Sequence, residues 1–180
     1  AYALKNGKKL WSFESGKRIV GTPAVSEGIV VFGSADRHIY GLNAKDGNLL
    51  WTVKAAEPVL GAVTIADGTA YIGASDATFR AIDIHTGNTV WRTFQSMVRE
   101  TIGLSEDGER IYSKTMNDSI VCYAAQGDTP RELWATNIGF GYEHAPSMQV
   151  EKEGVMFGST KEGLIFALEG KTGKVLWKHK

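Results

Sequence analysis

The chain has 180 residues, with 20 basic and 20 acidic side chains and a formal net charge of zero. Balanced charge argues against a nucleic-acid surface, which shows a basic excess or stripe, and no apolar run reaches the roughly 18–20 residues needed to span a membrane. The single cysteine, Cys122, leaves no internal disulfide to form.

Along the chain, tryptophan sets a regular beat. Trp11, Trp51, Trp91, Trp134 and Trp177 are separated by 40, 40, 43 and 43 residues. A fixed period in this range marks propellers, solenoids or arrays. The first segment, residues 1–13, reads as two short strands on either side of Gly7, the closing half of one unit. Each later unit repeats one order. An apolar stretch comes first: TPAV (22–25), AVTI (62–65), IGLS (102–105) and APSM (145–148). An acidic or glycine turn follows, as SEG, ADG, SEDG and EKEG. Then comes a β-rich run: IVVFGS (29–34), TAYIGA (69–74), RIYSKT (110–115) and VMFGST (155–160). After a polar break come IYGLN, FRAID, IVCYA and IFALE, and a glycine turn leads into the tryptophan strand.

The strand residues are β-branched or aromatic, and the turn residues are Gly, Asp and Asn. Gly47, Gly87 and Gly173 fall where a hairpin needs positive φ. Four short strands per unit with hairpin chemistry between them predict antiparallel propeller blades. A β-helix would use shorter, mostly parallel coils. The expectation is an all-β propeller segment of about four and a half four-stranded blades. The half blade is residues 1–13, and the full blades span about 20–54, 60–94, 100–137 and 143–180. Propellers close with a whole number of blades, so an incomplete ring is expected, with open edges prone to self-association.

The spacing before each tryptophan assigns it a role. Ala81, Asp83, Thr86 and Gly87 precede Trp91 at fixed offsets. Gly41, Asn43, Asp46 and Gly47 hold the same offsets from Trp51, and Ala167, Glu169, Thr172 and Gly173 hold them from Trp177. A small residue on the third strand leaves room for a large flat ring with one N–H to satisfy. The rings are expected to pack between adjacent blades, over the small residue and the turn. Each would contribute on the order of a few kcal/mol. Trp11, Trp51, Trp91, Trp134 and Trp177, with Gly47, Gly87 and Gly173, are therefore the candidate blade-docking residues.

The stretch AIDIHTGNTVW (81–91), with GLNAKDGNLLW and ALEGKTGKVLW, resembles the tryptophan-docking motif of PQQ-like, or quinoprotein-type, β-propeller repeats. The repeat ending at Trp11 reads as shortened by two residues before Gly7. The one ending at Trp134, YAAQGDTPRELW, reads as lengthened by two, with Pro130 widening its turn. WD40 repeats fit less well, because aspartate should follow the tryptophan and here Ser12, Thr52, Arg92, Ala135 and Lys178 follow.

The resemblance extends to the propeller of the outer-membrane β-barrel assembly lipoprotein. It implies a non-catalytic scaffold that binds a protein or peptide partner in the bacterial periplasm or cell envelope. An alternative it implies is an accessory propeller of a larger bacterial enzyme, such as a metallophosphoesterase or kinase. A quinone-dependent dehydrogenase would need a whole ring, a calcium-type ion and a catalytic carboxylate. Those enzymes typically add a vicinal cysteine pair, which Cys122 alone cannot make. No PQQ or other cofactor is expected. The sequence leans away from an enzyme without deciding the matter: His38, His85 and His179 have no metal-ligand spacing.

Loops on one rim of a propeller usually carry function. The loops from fourth to first strands bring Arg18, Glu57, Arg99, Glu100, Glu143 and His144. The loops from second to third strands bring Asp36, Arg37, Asp76, Asn117, Asp118, Lys161 and Glu162. The least repeat-like stretch is GFGYEHAP (139–146). Its Phe140 and Tyr142 suit binding hot spots. Glu143 and His144 have acid–base or metal-binding chemistry, although adjacent strand residues point to opposite faces. Phe140, Tyr142, Glu143, His144, Arg99, Glu100, Arg18 and Glu57 are thus the candidate rim-binding residues. Cys122, between Val121 and Tyr123, reads as a small buried strand residue.

Overall fold

The computed structural model describes residues 1–94, 102–115, 118–139, 149–160 and 162–180. Among the described residues the β-rich runs form sixteen strands in four sheets. The first sheet is β1 (Ala24–Ser26), β2 (Ile29–Gly33), β3 (His38–Asn43) and β4 (Leu49–Lys54). The second is β5 (Thr64–Ala66), β6 (Thr69–Gly73), β7 (Thr78–Asp83) and β8 (Thr89–Phe94). The third is β9 (Gly103–Leu104), β10 (Arg110–Lys114), β11 (Ser119–Ala124) and β12 (Glu132–Asn137). The fourth is β13 (Gln149–Lys152), β14 (Val155–Ser159), β15 (Ile165–Glu169) and β16 (Val175–His179). Each sheet is an antiparallel meander in chain order.

Turn chemistry makes the hairpins. Glu27–Gly28, Asp67–Gly68 and Glu153–Gly154 all have positive φ at both residues, which matches the twist of a two-residue hairpin. The third sheet uses a longer connection, in which the Gly108 amide donates to the Ser105 carbonyl at 3.0 Å.

The first strands of successive sheets touch: β1 meets β5, β5 meets β9, and β9 meets β13. The Val63 amide donates to the Thr22 carbonyl at 3.2 Å across the first of these contacts. The backbones come so close there that a Cβ on Gly21 would lie 2.0 Å from the Gly61 oxygen. Three apolar cores fill the spaces between neighbouring sheets. Val31, Ile39, Ile72 and Ile82 are among the first, Tyr71, Phe79 and Ile111 among the second, and Ile120, Met156 and Phe166 among the third. The result is an unclosed all-β propeller array, as its sequence predicts.

Three details differ from the sequence reading. The turn of the fourth unit begins later than EKEG implied. Glu151 and Lys152 belong to β13, where they pair with Met156 and Val155. The APSM stretch (145–148) lies outside the described residues. The N-terminal segment is a hairpin held by a single Tyr2–Lys9 bridge, with no extended strand. Its turn is not shortened. The Gly7 amide donates to the Ala3 carbonyl at 2.8 Å, just as Gly47 donates to Asn43 and Gly173 to Glu169, each at 2.8 Å.

Candidate interaction surfaces

Register places one cross-strand row on the forward face of every sheet. The rows are Ala24–Val31–Gly41–Trp51, Thr64–Tyr71–Ala81–Trp91, Gly103–Tyr112–Cys122–Trp134 and Val150–Phe157–Ala167–Trp177. The tryptophan always faces the small residue. A Cβ on Gly41 would lie 2.1 Å from Trp51 Cε2, so the ring lies flat on that backbone. Each fourth strand also carries a register shift beside its tryptophan, opposite Gly41/Leu42, Ala81/Ile82, Cys122/Tyr123 and Ala167/Leu168. Such a bulge re-aims a side chain.

Rings of one sheet then meet the turn of the next. Trp51 Nε1 donates to the Ile84 carbonyl at 2.7 Å, and Trp134 Nε1 donates to that of Gly170 at 3.0 Å. Trp11 treats the first sheet in the same way, donating to the Ala44 carbonyl at 3.0 Å. Gly47, Gly87 and Gly173 lie beneath these rings: a Cβ on them would come within 2.5, 2.7 and 2.4 Å of Trp11, Trp51 and Trp134. Positive φ and the indole face both demand glycine there. Trp91 sits differently. It lies among Tyr71, Phe79 and Tyr123, and the Tyr71 hydroxyl donates to the Ala125 carbonyl. The two-residue lengthening before Trp134 moves Gly127 away, and no tryptophan lies within reach of its Cβ position. Cys122 is buried in the Gly41 position of its row, and burial pushes its thiol up to about 12.

The rim loops are held by the aspartates of the second-to-third strand turns. Asp36 Oδ2 accepts from the Gly16 amide at 2.7 Å and from the Tyr40 hydroxyl at 2.7 Å. Asp76 repeats the device, accepting from the Ala56 amide at 3.1 Å and from Arg80 Nη2 at 2.7 Å. Both turns are thereby stapled to a fourth-to-first strand loop, so these two loop sets share one rim. Burial raises the Asp76 carboxyl, but bonds from Arg80, Thr78 and the Ala56 amide outweigh it and hold the group down at about 2. A depressed pKa stabilises the fold above the unfolded value, and that contribution fades as pH falls through the folded one. We expect Asp76→Asn to be less stable than the parent at neutral pH. The gap in Tm should narrow steadily between about pH 4 and about pH 2 in an acid series of thermal melts.

Of the candidate rim residues, Arg18 and Glu57 are described, and both are exposed. The Arg18 carbonyl accepts from the Ala35 amide at 2.9 Å. Glu57 pairs with Arg37 at 3.8 Å, an exposed contact of little energetic weight. Phe140, Tyr142, Glu143, His144, Arg99 and Glu100 lie outside the described residues, as do Asn117 and Lys161. His85, in its turn, pairs with Glu27 of the preceding sheet at 3.2 Å. Among the described residues no group of three or more His, Cys, Asp or Glu side chains could hold a metal ion.

Sequence reasoning missed a polar network between the third and fourth sheets. Arg110 Nη2 lies 3.1 Å from Glu151 Oε1 and 3.0 Å from Asp107 Oδ2. Arg110 Nε donates to the Tyr112 hydroxyl at 3.1 Å, and that hydroxyl donates to Glu151 Oε2. Arg110, Tyr112 and Glu151 are all buried. The signal in the sequence is an acid, Glu151, in a row where the other sheets carry Val25, Ile65 and Leu104.

Among the described residues, nothing packs over the forward face of the fourth sheet. Trp177 is 44% exposed and Phe157 38%, whereas Trp51 is 9% and Tyr71 and Tyr112 are each 0% exposed. Val150, Phe157, Ile165 and Trp177 line one shallow apolar groove there.

With this geometry in hand, the chain can be set against known proteins. A sequence-family profile described as outer membrane protein assembly factor BamB matches residues 1–121. A search of curated proteins gives no match. Among solved structures, BamB from Moraxella catarrhalis aligns with a TM-score of 0.71 and 16% identity, over 97% of this chain and 68% of that one. The quinohemoprotein alcohol dehydrogenase ADHIIG from Pseudomonas putida HK5 aligns with a TM-score of 0.75 and 14% identity, over 95% of this chain and 35% of that one. The computationally designed Ika4 protein aligns with a TM-score of 0.72 and 21% identity, over 91% of this chain and 98% of that one. These likenesses concern the fold, and the chain spans about two thirds of BamB and about a third of the dehydrogenase.

Proposed function

Because the chain belongs to the family described as outer membrane protein assembly factor BamB, we propose that it is a non-catalytic scaffold holding a protein or peptide partner at its loop-bearing rim. Its place of work in this reading is the bacterial periplasm or cell envelope. One observation carries the reading. The side chains that recur from blade to blade are engaged in architecture. Asp36 and Asp76 staple loops, Asp83 accepts from the amides of His85 and Thr86, and the indoles span sheets. What distinguishes one blade from another is its loops, and variable loops on a rigid frame suit recognition.

The same reasoning speaks against a quinone site in these residues. A quinone–calcium centre needs several oxygen donors at one point. Asp36 and Asp76 each sit in their own second-to-third strand turn, and Asp83 lies in a third-to-fourth strand turn at the other end of its sheet. Cys122 is buried beneath Trp134.

Two measurements test the proposal. The chain and its Arg18→Glu/Glu57→Ala variant are immobilised and exposed to a solubilised bacterial envelope fraction. We expect outer-membrane assembly components on the parent chain and a clear loss of them on the variant. Equal capture by both, or none by either, overturns the rim assignment. In parallel, the chain is mixed with pyrroloquinoline quinone, calcium and a primary alcohol. Dye reduction above the protein-free blank would overturn the non-catalytic part.

A further inference from the structure

Beside the lengthened turn of the third sheet, one position breaks the pattern of the other three. There, the residue paired with the start of the second strand is polar: Asn43 faces Ile29, Asp83 faces Thr69 and Glu169 faces Val155. Each lays an oxygen onto its own turn. Asn43 Oδ1 accepts from the Lys45 amide at 2.9 Å, Asp83 Oδ1 from the Thr86 amide at 2.8 Å, and Glu169 Oε2 from the Thr172 hydroxyl. The third sheet carries Ala124 at this position, opposite Arg110. Its methyl group supplies no oxygen, and an open pocket of about 340 Å³ lies beside it, lined also by Arg110, Arg131, Lys171, Gln126, Glu109 and Leu133. The pocket is at the third-to-fourth strand turn, the end of the sheet opposite the loop-bearing rim.

The walls are held in place from three sides. The Ala124 amide donates to the Arg131 carbonyl at 2.9 Å. Gln126 Nε2 donates to Asp67 Oδ2 of the second sheet at 3.2 Å. Lys171 follows Gly170, whose carbonyl takes the Trp134 indole N–H at 3.0 Å. Donors line the space without partners of their own. The Arg110 side chain is 8% exposed; its Nε and Nη2 serve Tyr112, Glu151 and Asp107, and its Nη1 makes no hydrogen bond among the described residues. Arg131 and Lys171 are exposed and form no ion pair among the described residues. A planar guanidinium beside an ammonium matches a carboxylate. The Glu109 carboxylate also lines the pocket, and its charge makes a dianion such as phosphate the poorer fit. We propose that this pocket binds a carboxylate carried by a peptide, which supplies from outside the acid that Ala124 lacks. Arg131 and Lys171 hold the charge, Arg110 donates from the buried side, and Leu133, 38% exposed, receives an apolar neighbour of the acid. A volume at the low end for ligand pockets admits one or two residues of an extended segment. The proposal is independent of what the rim binds.

The test is an NMR titration of the isotope-labelled 180-residue chain at about 50 mM salt, where exposed charges are weakly screened. Four probes are compared: an acetylated and amidated Gly-Leu-Glu-Leu-Gly peptide, its amidated Gln counterpart, an acetylated Gly-Leu-Gln-Leu peptide with a free terminal carboxylate, and inorganic phosphate. Saturable shifts at the amides of Ala124, Arg131 and Lys171 are expected with a carboxylate peptide and not with the amidated Gln peptide. The tighter of the two carboxylate peptides tells an acidic side chain from a chain end. Arg131→Gln/Lys171→Gln changes two exposed residues and should weaken binding at least about tenfold, the scale of lost charge-assisted hydrogen bonds. Glu109→Gln should tighten it about threefold by removing a like charge. Unchanged amide positions in the first two sheets verify that the variants keep the fold. The absence of any saturable shift overturns the proposal, as does an amidated Gln peptide that binds as well as the carboxylate peptides, or a double variant of undiminished affinity. Phosphate binding more tightly than either carboxylate peptide overturns the choice of ligand.

Discussion

Replacing Trp51 by alanine is expected to lower the unfolding free energy by about 3–5 kcal/mol, the range for truncating a buried aromatic. The same change at Trp177, measured at concentrations where the chain is monomeric, should cost under about 1 kcal/mol. The two residues share a motif, a strand position and a bulge, and differ in what lies ahead of them. Trp51 is 9% exposed and caps the Ile84 carbonyl, while Trp177 is 44% exposed. Removing Trp51 opens a cavity between Gly41 and Gly87 and orphans a carbonyl, adding about 1 kcal/mol or more. Gly87→Val gives an independent check. A Cβ there would lie 2.7 Å from Trp51 Cγ, at φ +73°. The clash should vanish with the ring and the backbone strain remain, so Gly87→Val should cost less in the Trp51→Ala background. Urea titrations of the four proteins read all these quantities. Equal losses at Trp51 and Trp177 would mean that the rings do not hold the sheets together.

Much of this architecture was legible because it repeats. A single hairpin signal is weak, but the same signal on a regular beat fixes the element type, and Glu-Gly or Asp-Gly between two β-rich runs fixes the turn. The small residue opposite each tryptophan was legible for a steric reason, since Gly41, Ala81, Cys122 and Ala167 all leave room for an indole above them. The register shift beside each tryptophan was not legible. It inserts one exposed residue, Leu50 in the first sheet, and an exposed leucine in a strand carries no signal of a bulge. Nor was the altered seat of Trp91 visible. The lengthened turn announced a departure, but only the folded chain brings the Tyr71 hydroxyl, far away in sequence, to the Ala125 carbonyl. At the rim, the charges of Asp36 and Asp76 read as free side chains when taken one loop at a time. Their partners, Gly16 and Ala56, are in the neighbouring loop, and turn two candidate ligands into staples.

Truncating Glu151 is the second large effect. Glu151→Ala should cost about 3–5 kcal/mol, because it leaves the buried Arg110 guanidinium without its main counter-charge. Asp107 still touches Arg110, but Asp107 is 42% exposed and its attraction is screened by water. Arg110→Met alone should also be costly, since it strands a carboxylate that is 6% exposed. The double change, Arg110→Met with Glu151→Leu, removes both charges and puts apolar side chains in their place. It should return to within about 2 kcal/mol of the parent, as replacement of buried pairs by well-packed hydrophobes commonly does. The double-mutant cycle in urea should therefore be strongly non-additive, and simple addition of the two single costs would show that the groups do not act together. The pair still has a use that stability alone does not measure. Along β13 the inward residues are Gln149 and Glu151, and the outward ones are Val150 and Lys152. Hydrophobicity alone would turn Val150 inward, a slip of one residue that reverses every side chain. Arg110 and Tyr112, aimed forward from β10, reward only the register that brings Glu151 to them. Glu151→Ala should thus weaken the preference for one register along with the stability of the third interface. In that variant, hydrogen exchange along β13 should quicken while the amides of β6 and β7 stay protected.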